Sequence, residues 1–391
     1  MKDVFIVEAR RTPFGSFGGT LRDVPASELA SQVIKDLLAR QPVPANDIDE
    51  VIIGQVLQGG CGQAPARQAM RKAGLPDSVH AMTINKVCGS GLKALMLAAD
   101  SIRLGNSAAV IAGGMENMTL APYLIPKGRY GYRLGNGQLF DLLVLDGLQD
   151  PYSDRHMGEI TETWIERHGL SRDEQDIYAA RSYRLAQAAV AAGTFSDELT
   201  AVVKRSRKGD ITIDQDEEPG RGDIDKLPGL RPAFMKEGTI TAGNASTIND
   251  GAALALLCAE ESLEHYNLKP LARLVAASSN SIDPNDFPEA PVGAIKRVVA
   301  RAGLTMNAID LFEINEAFSA VPLIAIRELG LDPEKVNVNG GAVAIGHPIG
   351  ASGARLAATV IRELQVRQQR YGVASLCIGG GEAVAALFER C

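Results

Sequence analysis

Ile84-Asn85-Lys86-Val87-Cys88-Gly89-Ser90-Gly91-Leu92-Lys93-Ala94-Leu95-Met96-Leu97-Ala98-Ala99 changes its repeat in the middle. The first part is apolar and β-prone. The last part repeats small and apolar residues at helical spacing, so a strand is expected to give way to a helix at Gly89. Cys88 would then sit over the first unpaired N–H groups of that helix, where the positive end of the dipole favours a thiolate. A cysteine alone in such a place reads first as a small buried apolar residue. Two distant segments turn that reading. Asn339-Gly340-Gly341-Ala342-Val343-Ala344-Ile345-Gly346-His347-Pro348-Ile349-Gly350-Ala351-Ser352-Gly353 crowds glycines around one histidine, with a helical pattern from Ala354. Glycine permits close backbone approach to a ligand, and Pro348 keeps His347 out of helical geometry. Ser375-Leu376-Cys377-Ile378-Gly379-Gly380-Gly381-Glu382 ends an apolar strand with a second cysteine before a glycine turn. Two strand-end cysteines and one histidine in glycine-rich turns make a Cys/His nucleophilic site with a second acid or base.

Outward from these segments, the chain repeats itself. Ala45-Asn46-Asp47-Ile48-Asp49 has a counterpart in Met306-Asn307-Ala308-Ile309-Asp310, Gly89-Ser90-Gly91 in Ala351-Ser352-Gly353, and Gly113-Gly114-Met115-Glu116 in Gly379-Gly380-Gly381-Glu382. Each half alternates amphipathic helices with short apolar strands, for example Ser27 to Leu38 before Glu50 to Leu57. That pattern implies crossover connections and mainly parallel sheets. Between the halves, from about Leu120 to Thr239, lies a stretch too long for a plain connection. It holds a turn-rich segment from Tyr123 to Gly137 with Lys127, Arg129 and Arg133, helical patterns from Met157 to Ala192, and a polar loop from Lys204 to Arg231.

Composition sets limits. The 391 residues, 46% hydrophobic and 5% aromatic, suffice for one large α/β core or two fused ones. A formal charge of −7 argues against nucleic acid as a partner, and the run Lys204-Arg205-Ser206-Arg207-Lys208 reads as a solvated loop. Five cysteines make no disulfide framework and agree with a reducing compartment, so Cys61, Cys258 and Cys391 need no function. His80, His168 and His265 stand in no motif. No His/Cys spacing suits zinc, no glycine segment ends as a P-loop does, and Gly113-Gly114 is no dinucleotide fingerprint. No metal and no cofactor are expected. Met1 to Glu8 reads as a strand rather than a signal peptide, and no window offers about 18 uninterrupted apolar residues. A soluble, cytoplasmic protein away from membranes is expected.

These segments, together with Arg10-Arg11-Thr12-Pro13-Phe14-Gly15, Thr241-Ala242-Gly243-Asn244-Ala245-Ser246 and Asn315-Glu316-Ala317-Phe318, occur in order along nearly the whole chain. In this the sequence resembles the thiolases, and among them the short-chain acetyl-CoA acetyltransferases. The resemblance implies an α/β fold of two duplicated βαβαβαββ halves in a layered α-β-α-β-α core with an inserted loop domain. The halves would span residues 1–119 plus 240–268 and 269–391, with 120–239 as the insert that covers the site, holds coenzyme A and carries a tetramerisation loop. It further implies that Cys88 is the acylated nucleophile and His347 takes its proton, by a pairing that holds the thiolate near neutral pH. Cys377 would be the second acid/base, and Asn315 the holder of a water that completes one oxyanion hole with His347. The N–H groups of Cys88 and Gly379 would form the other. From the residues alone, Asn315-Glu316 also reads as an ordinary turn and cap.

For coenzyme A the resemblance points to Ser246, His156, Met157 and Leu148 beside the pantetheine arm and Ala317 and Phe318 at the acyl end. Two departures stand out. Arg221 falls one position after the family's adenine-side arginine, at Gly220, and Phe287-Pro288-Glu289-Ala290-Pro291 replaces the usual Met-Gly-x-Gly-Pro of the acyl pocket. The implied reaction is the reversible condensation of two acetyl-CoA to acetoacetyl-CoA and CoA. The rivals are a broad-range degradative 3-ketoacyl-CoA thiolase of β-oxidation, a decarboxylating ketoacyl synthase, and a non-catalytic acyl-CoA or lipid-binding protein on the same scaffold. The synthase would carry a histidine or asparagine where Cys377 stands. The binding protein would lack one of Cys88, His347 or Cys377.

Overall fold

The computed structural model describes residues 2–205 and 209–391, so most of the Lys204–Lys208 run lies outside the described residues. The first half builds strands β1 (Val4–Arg11), β2 (Glu50–Gly54), β3 (His80–Ile84), β4 (Ala109–Asn117) and β5 (Asn249–Ala259), with helices α1 (Ala26–Arg40), α2 (Pro65–Ala73) and α3 (Ser90–Arg103) between them. Across the sheet the order is β1-β5-β4-β2-β3. The insert contributes helices α4 (Met157–His168) and α5 (Arg172–Ala192). The helical patterns expected from Met157 to Ala192 are these two helices, separated where Gly169 turns left-handed and the Ser171 capping box restarts the chain.

The second half repeats the plan with β6 (Ala272–Ser281), β7 (Leu311–Ile314), β8 (Tyr371–Ile378) and β9 (Glu382–Arg390), and helices α6 (Ala290–Arg301), α7 (Ala320–Leu329) and α8 (Ser352–Val366). Its order is β6-β9-β8-β7, with Val336 bridging Phe312 in parallel at the place β3 holds in the first half. The sheets are mixed, not mainly parallel. The β2–β3, β2–β4 and β7–β8 ladders are parallel, whereas β5 and β9 run antiparallel to both their neighbours. The last strand of each half returns antiparallel to its neighbour, in the first half after the insert with α4 and α5 and in the second half directly. Between β8 and β9 the glycine turn at 379–381 allows nothing but a hairpin.

The two sheets meet where β1 pairs with β6 over two positions. Helices α3 and α8 are sandwiched between them, sharing one apolar cluster with both sheets. The outer faces are covered by α1 and α2 on one side and by α6 and α7 on the other, which gives five layers. The duplicated glycines explain how the central helices come so close. A Cβ on Gly91 would lie 2.9 Å from the Gly350 carbonyl oxygen, and one on Gly353 would lie 2.5 Å from the Leu92 nitrogen. Bare backbone at these two positions lets the N-termini of α3 and α8 abut, so the turns that precede them, carrying Cys88 and His347, face one cavity.

Buried polar groups tie the insert to this core. Arg11, with no exposed surface, donates to Glu198 at 2.6 Å and to both oxygens of Asp216 at 2.6 and 2.8 Å. Glu316 accepts from Tyr178 and Ser182 on α5 at 2.9 and 2.7 Å, from Asn337 at 2.9 Å and from the Val343 N–H at 3.0 Å. Among the described residues no helix is long and apolar enough to cross a membrane.

Candidate active site

The strand expected to run into Gly89 stops earlier, at Ile84, and helix α3 begins at Ser90. Between them the chain makes a tight turn in which Val87 takes a φ of 45°. A β-branched residue there costs about 1–3 kcal/mol, so the turn must be held by its surroundings. Asn85 Oδ1 accepts from the Val87 N–H at 2.9 Å, and Ser90 Oγ accepts from the Lys86 N–H at 2.8 Å while donating to the Val87 carbonyl at 2.7 Å. Lys86 reaches Glu382 at 2.5 Å, which links this turn to the glycine turn after Cys377. The result places Cys88 on the wall of a cavity of about 200 Å³ shared with His347, Cys377 and Gly379. A Cβ on Gly379 would approach Met157 Sδ at 3.3 Å, so glycine keeps the space in front of the two sulfurs open.

Burial pushes the Cys88 thiol up to about 11, and the Glu116 carboxylate adds to this, while the N–H groups of Gly379 and of Cys88 itself pull the other way. The resting residue is therefore a thiol, not the standing thiolate expected from the helix N-terminus. Two short-range donors do not offset the loss of water. Cys377 is buried too, and its thiol lies well above the ordinary range through burial and the proximity of Cys88. His347 moves in the opposite direction. Burial, helped by the nearby Arg355 charge, lowers it to about 3, so the imidazole is neutral at any physiological pH.

The ring nitrogens of His347 engage Ser352 and Asn315 rather than Cys88. Nδ1 lies 2.5 Å from Ser352 Oγ, and Nε2 lies 3.4 Å from Asn315 Nδ2. The His347 backbone N–H donates to Asn249 Oδ1 at 2.9 Å. Asn315 is no helix cap, because α7 starts at Ala320 after Ser319. Its Oδ1 is buried without a partner, beside the imidazole. An orphaned acceptor at such a place suits a bridging water or a donor on a substrate.

Ser246, His156, Met157, Leu148, Ala317 and Phe318 all line the same cavity. The Thr241–Ser246 segment is laid against the Asn315–Phe318 segment through the Ser246 N–H to the Ala317 carbonyl, at 3.0 Å, and the Ser319 N–H to the Asn244 carbonyl, at 2.9 Å. His156 caps α4 with Nδ1 accepting from the Gly158 N–H at 3.0 Å, which leaves Nε2 as its donor. Burial lowers its pKa, so it too is neutral. Arg221 is not brought to the cavity. It sits in the short turn Pro219–Arg221, 3.6 Å from Glu217.

Several residues that shape the site carry no signal in the sequence. Phe234 stacks on His156 at 4.8 Å and meets Phe318 edge-on at 6.0 Å, although nothing in its local sequence marks it. Ile349, Met118, Gly147, Thr247 and Ile248 also line the wall. Ser352 was noted as part of the internal repeat, but its contact with His347 follows from Pro348 turning the chain into α8, which only the fold shows. Phe287, flagged as a departure, lines the cavity and meets Phe318 at 6.4 Å.

Comparison with known proteins agrees with this geometry. Residues 4–261 match the family model for the thiolase N-terminal domain, and residues 268–390 match that for the thiolase C-terminal domain. The chain is 49% identical over 392 residues to an acetyl-CoA acetyltransferase of Pseudomonas aeruginosa, with all of each chain covered. It is 47% identical to a probable acetyl-CoA acyltransferase of Staphylococcus aureus, again with all of each chain covered. The crystal structure of the Bacillus anthracis acetyl-CoA acetyltransferase superposes with a TM-score of 0.98 at 42% identity, covering 100% of this chain and 99% of that one. With both halves matched, relatives of nearly half identity over its full length and a shared fold, the chain belongs to the thiolase family.

Proposed function

We propose that the protein is an acetyl-CoA C-acetyltransferase that condenses two acetyl-CoA reversibly into acetoacetyl-CoA and CoA. The sulfur of Cys88 attacks the thioester carbonyl as its proton passes to the neutral His347. The bond to CoA then breaks, and the departing CoA sulfur takes that proton, which leaves acetyl-Cys88. Because the proton leaves as the bond forms, no standing ion pair is needed. The Cys377 thiol first gives its own proton to His347, and as a thiolate it removes the α-proton of the second acetyl-CoA. The carbanion attacks the acetyl-Cys88 carbonyl, the bond to Cys88 breaks, and the freed Cys88 sulfur takes the proton from His347, while in thiolysis Cys377 returns a proton to the leaving enolate. Burial that raises a thiol also makes its thiolate a stronger base, which suits a weakly acidic α-proton. The oxyanions are met by His347, once its Nε2 has taken a proton, with a water on Asn315, and by the N–H groups of Cys88 and Gly379. Preorganised donors of this kind are each worth about 10²–10³ in rate.

The observation that carries this reading is the meeting of Cys88, His347 and Cys377 on one small apolar cavity. The aromatic rings of Phe287, Phe318 and Phe234 on its wall favour a short acyl group. The reaction on this reading uses CoA thioesters as substrates and no cofactor or metal. Residues 1–119 with 240–268 and 269–391 act as the two halves, and 120–239 as the loop domain. The arm after Leu120, with Tyr123, Ile125, Tyr130, Leu134 and Leu139 exposed, suits assembly into a homotetramer, a dimer of dimers. A cytoplasmic location fits the unpaired cysteines.

The test is CoA-dependent thiolysis of 3-ketoacyl-CoA substrates from four to sixteen carbons, with Cys88→Ser as the blank. Activity confined to the four-carbon substrate is expected. Comparable rates on the longer chains would make the protein a β-oxidation thiolase, and no activity on any of them would make it a binding protein.

A further inference from the structure

We propose that Ser352 is a positioning residue that fixes the tautomer of His347, holding the proton on Nδ1 and turning a bare Nε2 towards the reacting groups. The inference rests on the acetyl-transfer reading given above and names a residue that reading did not use. Ser352 Oγ lies 2.5 Å from His347 Nδ1 and 2.9 Å from the Pro348 carbonyl oxygen. A carbonyl only accepts, so the single hydroxyl hydrogen of Ser352 is committed to Pro348. Towards the imidazole the hydroxyl has nothing left but a lone pair. Nδ1 must therefore carry the hydrogen, and Nε2 keeps a lone pair.

The other side of the ring agrees. The group 3.4 Å from Nε2 is the Asn315 amide nitrogen, a donor that needs an acceptor. Both His347 and Ser352 are buried. The contact is built into the chain path. Pro348 directs the segment from His347 into α8, and Ser352 is the first residue of that helix, where a side-chain hydroxyl can turn back to the residue that precedes the proline.

The consequence is chemical. Only the Nε2 lone pair lets His347 accept the Cys88 proton without first rearranging its own. When it does accept, the proton sits on Nε2, the atom beside Asn315, from which it can go to the departing CoA sulfur. Losing tautomer control therefore slows acylation and leaves acetyl-CoA binding intact.

The test combines a spectrum with kinetics. In wild-type protein labelled with ¹⁵N-histidine, the His347 signals, assigned by their loss in His347→Asn, should show a protonated Nδ1 and an unprotonated Nε2. In Ser352→Ala the two should move towards averaging. Single-turnover acetylation of Cys88 should fall by about 10- to 10²-fold, part of the 10²–10⁴ that a placed general base supplies, with KM for acetyl-CoA unchanged and Ser352→Thr restoring the rate. A wild-type spectrum with the proton on Nε2 would overturn the proposal even if the alanine variant does not fold. An unchanged acetylation rate in a folded Ser352→Ala would overturn it equally. Because the spectrum needs no turnover, an inactive wild-type protein would count against the acetyl-transfer reading and not against the tautomer assignment.

Discussion

Phe287→Ala should convert a short-chain site into a permissive one. Phe287 is 3% exposed, lies in the turn Pro284–Glu289 and packs edge-on against Phe318, which in turn packs on Phe234. Its ring is thus the end wall of the acyl space, and removing it opens that space into the aromatic cluster behind. An eight-carbon 3-ketoacyl chain has four more methylenes than acetoacetyl. At about 0.8 kcal/mol for each one buried, they would contribute about 3 kcal/mol. With a factor of ten for every 1.4 kcal/mol or so, the ratio of kcat/KM for eight over four carbons should rise by roughly 10². The same truncation leaves a cavity and should cost about 3–5 kcal/mol of stability, so thermal unfolding must show that the variant is folded at the assay temperature. A folded Phe287→Ala whose ratio matches wild type would refute the assignment of this ring as the chain-length limit.

Three further outcomes follow from the site. Cys377→Ala should still acetylate Cys88 but lose exchange of the acetyl-CoA methyl hydrogens with solvent; persistent exchange seen by NMR would remove Cys377 from its role. With the Cys88 thiol pushed up to about 11, its alkylation by iodoacetamide should keep rising about tenfold per pH unit through pH 9; a plateau below about pH 8 would contradict a resting thiol. Glu116, raised to about 7 by burial although it accepts from the N–H groups of Val56, Leu57 and Gly350, should shape the pH dependence of stability. Its folded value lies above the ordinary 4.5, so the stability it contributes is fully present below 4.5 and is lost as pH rises through 7. Relative to wild type, Glu116→Gln should gain up to about 3 kcal/mol between pH 4 and pH 8 in denaturant titrations; parallel curves would show that Glu116 does not titrate there.

The sequence carried the chemistry better than its setting. Cys88, His347 and Cys377 were legible because each interrupts a regular pattern with glycine or proline, and such interruptions exist to position something. The duplication was legible because both halves need bare backbone where α3 meets α8, at Gly91 and Gly353. What escaped has a common cause. Phe234, Ile349 and Ser352 act through contacts made by the tertiary fold, and local periodicity says nothing of them. The antiparallel course of β5 and β9 is likewise set by how each half returns to its own sheet. The thiolate expectation failed because helix N-terminus and donors are visible in sequence, while desolvation is not.

Acylation of Cys88 underlies the whole reaction, and mass spectrometry of the protein mixed briefly with acetyl-CoA measures it directly. One acetyl group is expected, on the peptide bearing Cys88, discharged by added CoA and absent from Cys88→Ser. An acetyl group that persists in Cys88→Ser, or that maps to Cys377 in the wild type, would contradict it.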